Sequence, residues 1–331
     1  MRLFFPRGTN ELGSLLGWHA RQVPGRAGTV RLVSEAPRGE DEVQPLEAGE
    51  PLDGSGGGRF DVGRYYAALE VRGLRAAGRR LLVAAETSST QEVLRGPLFD
   101  GWENWRLAFV ADRQSAGRGR GANRWVSPEG CLMWSFQLVQ LDGARLPMLQ
   151  YLVALAAVRA VRQLPGGEAA AERLRIKWPN DLYAAEREGQ PAAKLGGILC
   201  QSSYWQGQFV VTVGVGLNVA NAEPSACLQQ LFAEPEAASR EATLAAFFSV
   251  FEEMLDVFDR EGFAPFVADY ERSWMHGGQR LQLEDGTSVV VEGLAPHGLL
   301  RARDQRGVCY ELHPDGNSLD WFRGLVKKKA L

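Results

Sequence analysis

The sequence predicts an α/β alternation that builds one large sheet with a covered centre, followed by a small β-barrel at the C-terminus. Three observations predict it. From Arg80 onward, short apolar runs of strand length alternate with stretches whose apolar residues recur at helical spacing. One run, Phe209 to Val215, is too apolar to face water on either side, which places it inside a sheet covered on both faces. After Trp274 the chain changes to short strands with turns at Asp285-Gly286, His297-Gly298, Arg306-Gly307 and Asp315-Gly316, the spacing of a small barrel.

The elements follow in order. Leu81 to Ala85 reads as a strand, and Thr87-Ser88-Ser89-Thr90 as an N-cap cluster opening a short helix. Leu107 to Ala111 and Cys131 to Val139 are strand-like, with a Gly/Arg-rich loop between them. Pro147 sits where a first helical residue would. Leu149, Leu152, Val153, Ala156, Ala157, Ala160, Val161 and Leu164 then mark a long buried helix. Strands are expected at Leu174 to Lys177 and Leu195 to Cys200. A second amphipathic helix carries Leu244, Phe247, Phe248, Phe251, Leu255 and Phe258 on one face and stops at Gly262, a C-terminal cap.

At 331 residues, with 45% hydrophobic and 23% charged content, the chain has room for one large domain plus a smaller one. Residues 34 to 58 turn acidic and then glycine-rich, ending Asp53-Gly-Ser-Gly-Gly-Gly58, a flexible-linker composition. The expected division is therefore an extension over 1–58, a main domain over 59–274 and a C-terminal domain over 275–331. Within the extension, Leu15 to Trp18 and Val30 to Val33 fit short strands or a helix turn equally well. Its arginines Arg2, Arg7, Arg21, Arg26 and Arg31, against Glu11 alone, faintly resemble an organelle transit peptide.

A net charge of −3 gives no global reason to bind nucleic acid or an anionic membrane. The four cysteines, Cys131, Cys200, Cys227 and Cys309, form no CxxC pair, so reduced thiols in a cytoplasmic protein are expected rather than a disulfide framework or zinc knuckle. No apolar run approaching the roughly 20 residues of a membrane span is apparent.

Four segments can carry chemistry. In Gln114-Ser-Ala-Gly117-Arg118-Gly119-Arg120-Gly121-Ala-Asn-Arg124-Trp125, glycines let backbone N–H groups approach an anion while arginines supply fixed charge. A solvated loop is the bland alternative, and single-strand RNA binding is disfavoured by the segment's shortness and the chain's acidity. Lys177-Trp178-Pro179-Asn180-Asp181-Leu182 must turn at its proline; Lys194-Leu195-Gly196-Gly197-Ile198-Leu199 begins the next strand, so that Asp181 and Lys194 can flank one hairpin and face one site. Gly214-Val215-Gly216-Leu217-Asn218 permits close approach of a ligand or marks a packing bulge. Ser88-Ser89-Thr90 is a helix cap or a ligand site.

Taken together and in this order, Ser-Ser-Thr-Gln at 88–91, Gln114 to Arg120, Trp125-Val-Ser-Pro-Glu-Gly130, Lys177 to Leu182, Lys194 to Leu199 and Gly214 to Asn218 resemble the biotin-protein ligase family, the holocarboxylase synthetases of eukaryotes. The resemblance covers roughly residues 60 to 330. It implies an α+β fold, a mixed β-sheet flanked by helices of the class II synthetase-like biotin/lipoate ligase type, with a small C-terminal SH3-like β-barrel. No helix-turn-helix is legible at the N-terminus, so the repressor activity of some relatives is not expected.

The resemblance also implies the chemistry. Biotin and Mg-ATP give biotinyl-5′-adenylate and pyrophosphate; a lysine of a biotin carboxyl carrier domain of a carboxylase then displaces AMP. A carboxylate and a triphosphate repel, so cations must hold them together, with Mg²⁺ expected mainly on the phosphates. Lys194, Arg118 and Arg120 are the catalytic candidates, with Asp181 orienting or deprotonating the acceptor lysine. The biotin-binding candidates are Ser89, Thr90, Gln91, Gln114, Arg118, Gly119, Arg120 and Lys194. The adenylate-binding candidates are Gly117, Gly119, Arg120, Trp125, Lys177, Asn180 and Asn218. No metal ligand is assigned, and the sequence leaves homodimerisation open. Two alternatives are a lipoate or octanoate ligase or transferase, which shares the fold and the lysine chemistry, and a non-catalytic biotin-binding scaffold.

Overall fold

The structure, a computed structural model, describes residues 30–34, 58–72, 78–95, 107–186, 191–221, 226–283, 285–313, 319–320 and 325–326. The Leu15–Trp18 segment, the acidic and glycine-rich stretch up to residue 57 and the Asp315-Gly316 turn lie outside the described residues.

An eight-stranded sheet forms the centre. Its strands are β1 (Val30–Ser34), β2 (Arg80–Thr87), β3 (Leu107–Gln114), β4 (Cys131–Gln140), β5 (Leu174–Lys177), β6 (Asp181–Ala184), β7 (Ala193–Trp205) and β8 (Gln208–Asn218). They lie in the order β1-β2-β3-β4-β8-β7-β6-β5. Only β2 and β3 run parallel, so the sheet is mixed. The strand at 30–34 belongs to the N-terminal extension, yet it pairs antiparallel with β2 and forms one edge of the sheet.

Alternation along the strands separates two chemistries. On β4, Leu132, Trp134, Phe136 and Leu138 join the apolar core, while Met133, Ser135 and Gln137 point to the opposite face. Their neighbours on β8 divide the same way, with Val211, Val213, Val215 and Leu217 in the core. That core face is covered by α3 (Leu146–Arg162) and α5 (Arg240–Glu261), with α1 (Val62–Glu70) beside α5. Phe247, Phe248 and Phe251 of α5 meet Trp134 and Phe136 edge-on at centroid distances between 5.1 and 5.6 Å. Truncating such a ring costs about 3–5 kcal/mol, against about 1 kcal/mol for ring geometry, so the volume filled matters more than the aromatic contacts.

Pro147 stands in the first turn of α3. By length and composition the helix from Gly143 to Arg162 is apolar enough to cross a bilayer, contrary to the sequence reading. Leu149 and Tyr151 to Val158 are buried in the core against sheet and α5, which is reason enough for that composition. Gly262 ends α5 at φ 69° and its N–H returns to the Phe258 carbonyl at 2.8 Å. Three helices, α1, α4 (Gly167–Arg173) and α6 (Val267–Ser273), were not legible because they are at most nine residues long, too short for a helical repeat to stand out.

On the other face lies the short α2 (Thr90–Leu94), capped by Ser89, whose hydroxyl accepts the Glu92 N–H. At the C-terminus β9 (Arg280–Leu283), β10 (Ser288–Leu294), β11 (Leu300–Asp304), β12 (Cys309–Leu312), β13 (Leu319–Asp320) and β14 (Leu325–Val326) form a second sheet, ordered β12-β11-β10-β9-β14-β13. Positive φ at Gly286, Gly298 and Gly307 makes the tight turns expected there.

Candidate active site

Between α2, the polar face of the sheet and the Gly/Arg loop lies a cavity of about 870 Å³. One end is neutral and polar. The Thr90 backbone N–H and hydroxyl both donate to Gln114 Oε1, at 2.8 and 3.1 Å, and the same hydroxyl lies 2.7 Å from Ser135 Oγ. Gln91 donates its side-chain amide to the Leu199 and Thr212 carbonyls at 2.9 and 3.1 Å. Gly214, opposite Ser135 in the sheet, leaves the space there; a Cβ would meet Gln91 Oε1 at 3.0 Å.

The other end is ionic. Lys194 Nζ lies 2.8 Å from Asp181 Oδ1. These two residues face one another because β7 carries an extra residue: β6–β7 pairing steps from Leu182↔Gly196 to Tyr183↔Lys194, leaving Leu195 over. The bulge turns both Lys194 and Gly197, three apart, toward the cavity, which strict alternation forbids. Lys177, opposite Asp181 in the pairing, holds its ammonium 5.2 Å from the Tyr183 ring centroid.

The Gly/Arg loop is a small hairpin rather than an open loop. Arg118 bridges Arg124, the Gly119 N–H reaches the Asn123 carbonyl at 2.9 Å, and the Trp125 N–H reaches the Gly117 carbonyl at 3.0 Å. Arg120 donates to Asn180 Oδ1 at 3.3 Å, joining the hairpin to the Lys177–Asp181 turn. Arg118, 62% exposed, pairs with Glu92 at 3.4 Å. The Trp125 ring lies on Gly216, where a Cβ would come within 2.4 Å of it, and near Gly197. The cavity thus offers neutral hydrogen-bonding groups at one end, cations around one carboxylate at the other, and an indole lying over strand glycines.

Comparison with known proteins bears on what such a cavity is for. Residues 83–218 match the Biotin/lipoate A/B protein ligase family. Biotin–protein ligase 2 of Arabidopsis thaliana is 43% identical over 232 residues, 66% of this chain and 69% of that one. The chain belongs to the biotin–protein ligase family. The human biotin–protein ligase is 33% identical over 284 residues, 82% of this chain, but the chain spans only 38% of that protein's length. The Aquifex aeolicus biotin protein ligase solved with biotin and ATP superposes with a TM-score of 0.56 at 26% identity, covering 70% of this chain and 94% of that one.

Within this member of the ligase family the cavity gathers Ser89, Thr90, Gln91, Gln114, Arg118, Gly119, Arg120, Trp125, Lys177, Asn180, Asp181 and Lys194, all singled out from the sequence. Two others stand outside the lining. Gly117 is buried at the hairpin base, where a Cβ would lie 2.6 Å from the Trp125 carbonyl oxygen, so its glycine serves the hairpin. Asn218 is buried opposite Cys131, beyond Gly216 on β8. Sequence reasoning missed Ser135, although a lone serine on the alternate face of an apolar strand was a signal. It named Trp178 within the Lys177–Leu182 segment but gave it no role; the residue is 1% exposed and its indole N–H reaches Tyr151 and Gly298.

Among the described residues no three His, Cys, Asp or Glu side chains converge on a metal position. Asp181 is the carboxylate that lines the cavity, already 2.8 Å from Lys194.

Proposed function

We propose that the chain is a biotin–protein ligase that activates biotin with Mg-ATP and transfers it to a lysine of a biotin carboxyl carrier domain. The observation that carries this reading is the single cavity with a neutral hydrogen-bonding end at Thr90, Gln114 and Ser135 and a cationic end at Lys194, Lys177 and the arginine hairpin. A neutral ureido ring needs fixed donors and acceptors, whereas its remote carboxylate needs cations beside a phosphate. The Arabidopsis relative is named a biotin–protein ligase, and the Aquifex structure holds biotin and ATP, both consistent with it.

In the first step a biotin carboxylate oxygen attacks the α-phosphorus in line and pyrophosphate leaves. Lys194 and Arg120 offset the charge that both anions bring together. Mg²⁺ brought with the nucleotide would supply further positive charge for the leaving pyrophosphate, and among the lining residues Asp181 is the carboxylate that could help to hold it. Trp125 covers the mixed anhydride and slows its hydrolysis. In the second step a neutral lysine amine of the carrier attacks the acyl carbon, AMP leaves with the bonding pair, and the amine's extra proton is lost. An amine of pKa about 10 is mostly cationic at neutral pH, and Asp181 at the cavity's charged end receives or orients that proton. Carboxylase carrier domains in the cytoplasm are the expected partners.

Biotin-dependent exchange of labelled pyrophosphate into ATP, run beside lipoate and octanoate, tests the first step; label transfer to a carrier domain tests the second. Exchange with lipoate alone would make the chain a lipoate ligase. Normal biotin binding without transfer would make it a scaffold.

A further inference from the structure

The turn Trp178-Pro179-Asn180, which delivers Lys177 and Asp181 to the cavity, is held from outside the main sheet. The Trp178 backbone N–H donates to His276 Nε2 at 2.9 Å. Its indole N–H is shared between Tyr151 Oη at 2.8 Å and the Gly298 carbonyl at 3.2 Å, and the Tyr151 hydroxyl donates to that same carbonyl at 2.7 Å. His276 immediately precedes the C-terminal sheet, and Gly298 forms its β10–β11 turn. His276 is 1% exposed. Since Nε2 accepts, Nδ1 carries the proton, and it points to Gln279 Oε1 at 3.1 Å.

The seam leaves little freedom. Trp274 bridges Ile176, and the Met275 N–H reaches the Ile176 carbonyl at 2.9 Å, so residues 274–276 run alongside β5. A Cβ on Gly298 would lie 2.8 Å from the Tyr151 ring. At its far end the turn is pinned to β7 by Asn180, which exchanges hydrogen bonds with Ile198 at 2.8 and 2.9 Å. Main-sheet and C-terminal contacts therefore fix opposite ends of the segment that sets the Asp181–Lys194 and Asn180–Arg120 contacts.

We propose that His276 is a positioning residue of the ligase site: from the C-terminal domain it holds the Trp178 backbone, and through it the register of Lys177, Asn180 and Asp181 against Lys194 and Arg120. The proposal rests on the ligase reading above. It separates two properties, because Thr90, Gln114 and Ser135 sit on β3, β4 and α2, away from this turn. Loosening the turn spares recognition of the biotin ring and slows adenylation.

The test uses the full chain and four proteins: wild type, His276→Leu, His276→Gln and Gln279→Ala. Equilibrium biotin binding without nucleotide and biotin-dependent pyrophosphate exchange are read for each. In His276→Leu the exchange rate falls about 10- to 100-fold while biotin affinity stays within about threefold, since ångström misplacement of reacting groups costs about that much. His276→Gln sets a carboxamide oxygen where Nε2 accepts, and exchange returns to within about threefold of wild type. Gln279→Ala, which frees the tautomer without emptying a buried site, loses about three- to tenfold with the same split. If His276→Leu does not fold, the Gln and Ala variants decide alone, and wild-type exchange by Gln279→Ala overturns the proposal. So does undiminished exchange by a folded His276→Leu, or a loss shared equally by biotin binding and exchange that Gln fails to restore. No biotin-dependent exchange by the wild-type chain removes the ligase reading and this proposal with it; wild-type exchange beside an unaffected His276→Leu removes the proposal only.

Discussion

Lys194 and Asp181 form the ionic contact on which the proposed chemistry turns, 2.8 Å apart at the cavity's charged end. Replacing Lys194 with alanine removes the cation that joins two anions and leaves a carboxylate facing them. Pyrophosphate exchange is expected to fall by at least about 100-fold, the scale of one lost charge-stabilising group in a water-poor site. Asp181→Asn should leave exchange within about tenfold but slow transfer to the carrier; equal losses in both steps would remove its assignment to the acceptor amine. A second residue-scale prediction concerns pH. Burial first, then the nearby Lys177, lowers the His276 pKa from 6.5 to about 4, while Gln279 opposes the shift. Around it stand the Trp178 N–H, the Trp274 ring, Gln279 and the Lys177 ammonium. The folded state thus keeps this histidine neutral, whereas the unfolded chain protonates it near 6.5. Its contribution is fully present above that pH and drains as pH falls toward about 4, on the order of 3 kcal/mol in all. Denaturant melts at pH 7.5 and 5 should show this loss, and His276→Gln should lose less between the two; equal losses would mean that His276 titrates in the fold as it does in the unfolded chain. At this scale the sequence spoke unevenly. The Asp181–Lys194 pairing was legible because Lys194 begins the strand that follows Asp181, so that the two flank one hairpin. His276 was not, because its partner lies 98 positions away and nothing local marks it.

Among the elements, the arginine hairpin and the glycine-bearing end of β8 work as a pair. The Trp125 indole has its place only because Gly216 has no side chain: a Cβ there would lie 2.4 Å from the ring. Gly216→Ala therefore has to displace the indole. The expected result is a folded enzyme that still binds biotin but releases or hydrolyses its adenylate about tenfold faster, seen as AMP formed without acceptor. Unchanged AMP release would show that Trp125 does not shield the intermediate. The hairpin's own glycines cost backbone entropy, which ligand contacts offset, so biotin with ATP should slow protease nicking within residues 117–124. Equal nicking with and without ligands would remove that closure. Most strands of the main sheet and the two long helices were readable because apolar runs of strand length or helical spacing mark them, whereas β6 was not read and residues 30–33 fitted a strand or a helix turn equally well. The hairpin was legible as an anion binder but not as a hairpin, since its pairing rests on two carbonyls and an arginine bridge rather than on an apolar pattern. Nor did alternation reveal the β7 bulge, where Leu195 is in the core and a Cβ on the adjacent Gly196 would meet the core side chains of Leu217 and Leu182.

For the whole molecule, the described part of the N-terminal extension adds one edge strand to a domain that is anchored without it. Composition marked a linker up to Gly58, and just after it the chain is tied down: the Phe60 N–H donates to Asp112 Oδ1 at 2.9 Å, and Arg240 reaches the same carboxylate oxygen at 2.8 Å and the Gly58 carbonyl at 2.9 Å. Burial raises the Asp112 pKa although Arg240 and the Phe60 N–H oppose it, so this knot is most secure with the carboxylate ionised at neutral pH. Removing residues 1–57 leaves the knot intact and takes away β1 alone among the described elements. What is lost is the pairing of residues 30–34 with Arg80–Ala84, which exposes a row of backbone donors and acceptors along β2. The opposite edge, at β5, keeps its bridge from Ile176 to Trp274. The truncated chain is therefore expected to turn over within about threefold of the full chain when dilute, because the cavity lies away from β1, but to self-associate as its concentration rises. Sedimentation velocity across a hundredfold concentration range reads this directly. A truncated chain that sediments like the full one at every concentration would mean that β1 does not protect the β2 edge, and a large loss of turnover in dilute solution would mean that the extension reaches the site itself.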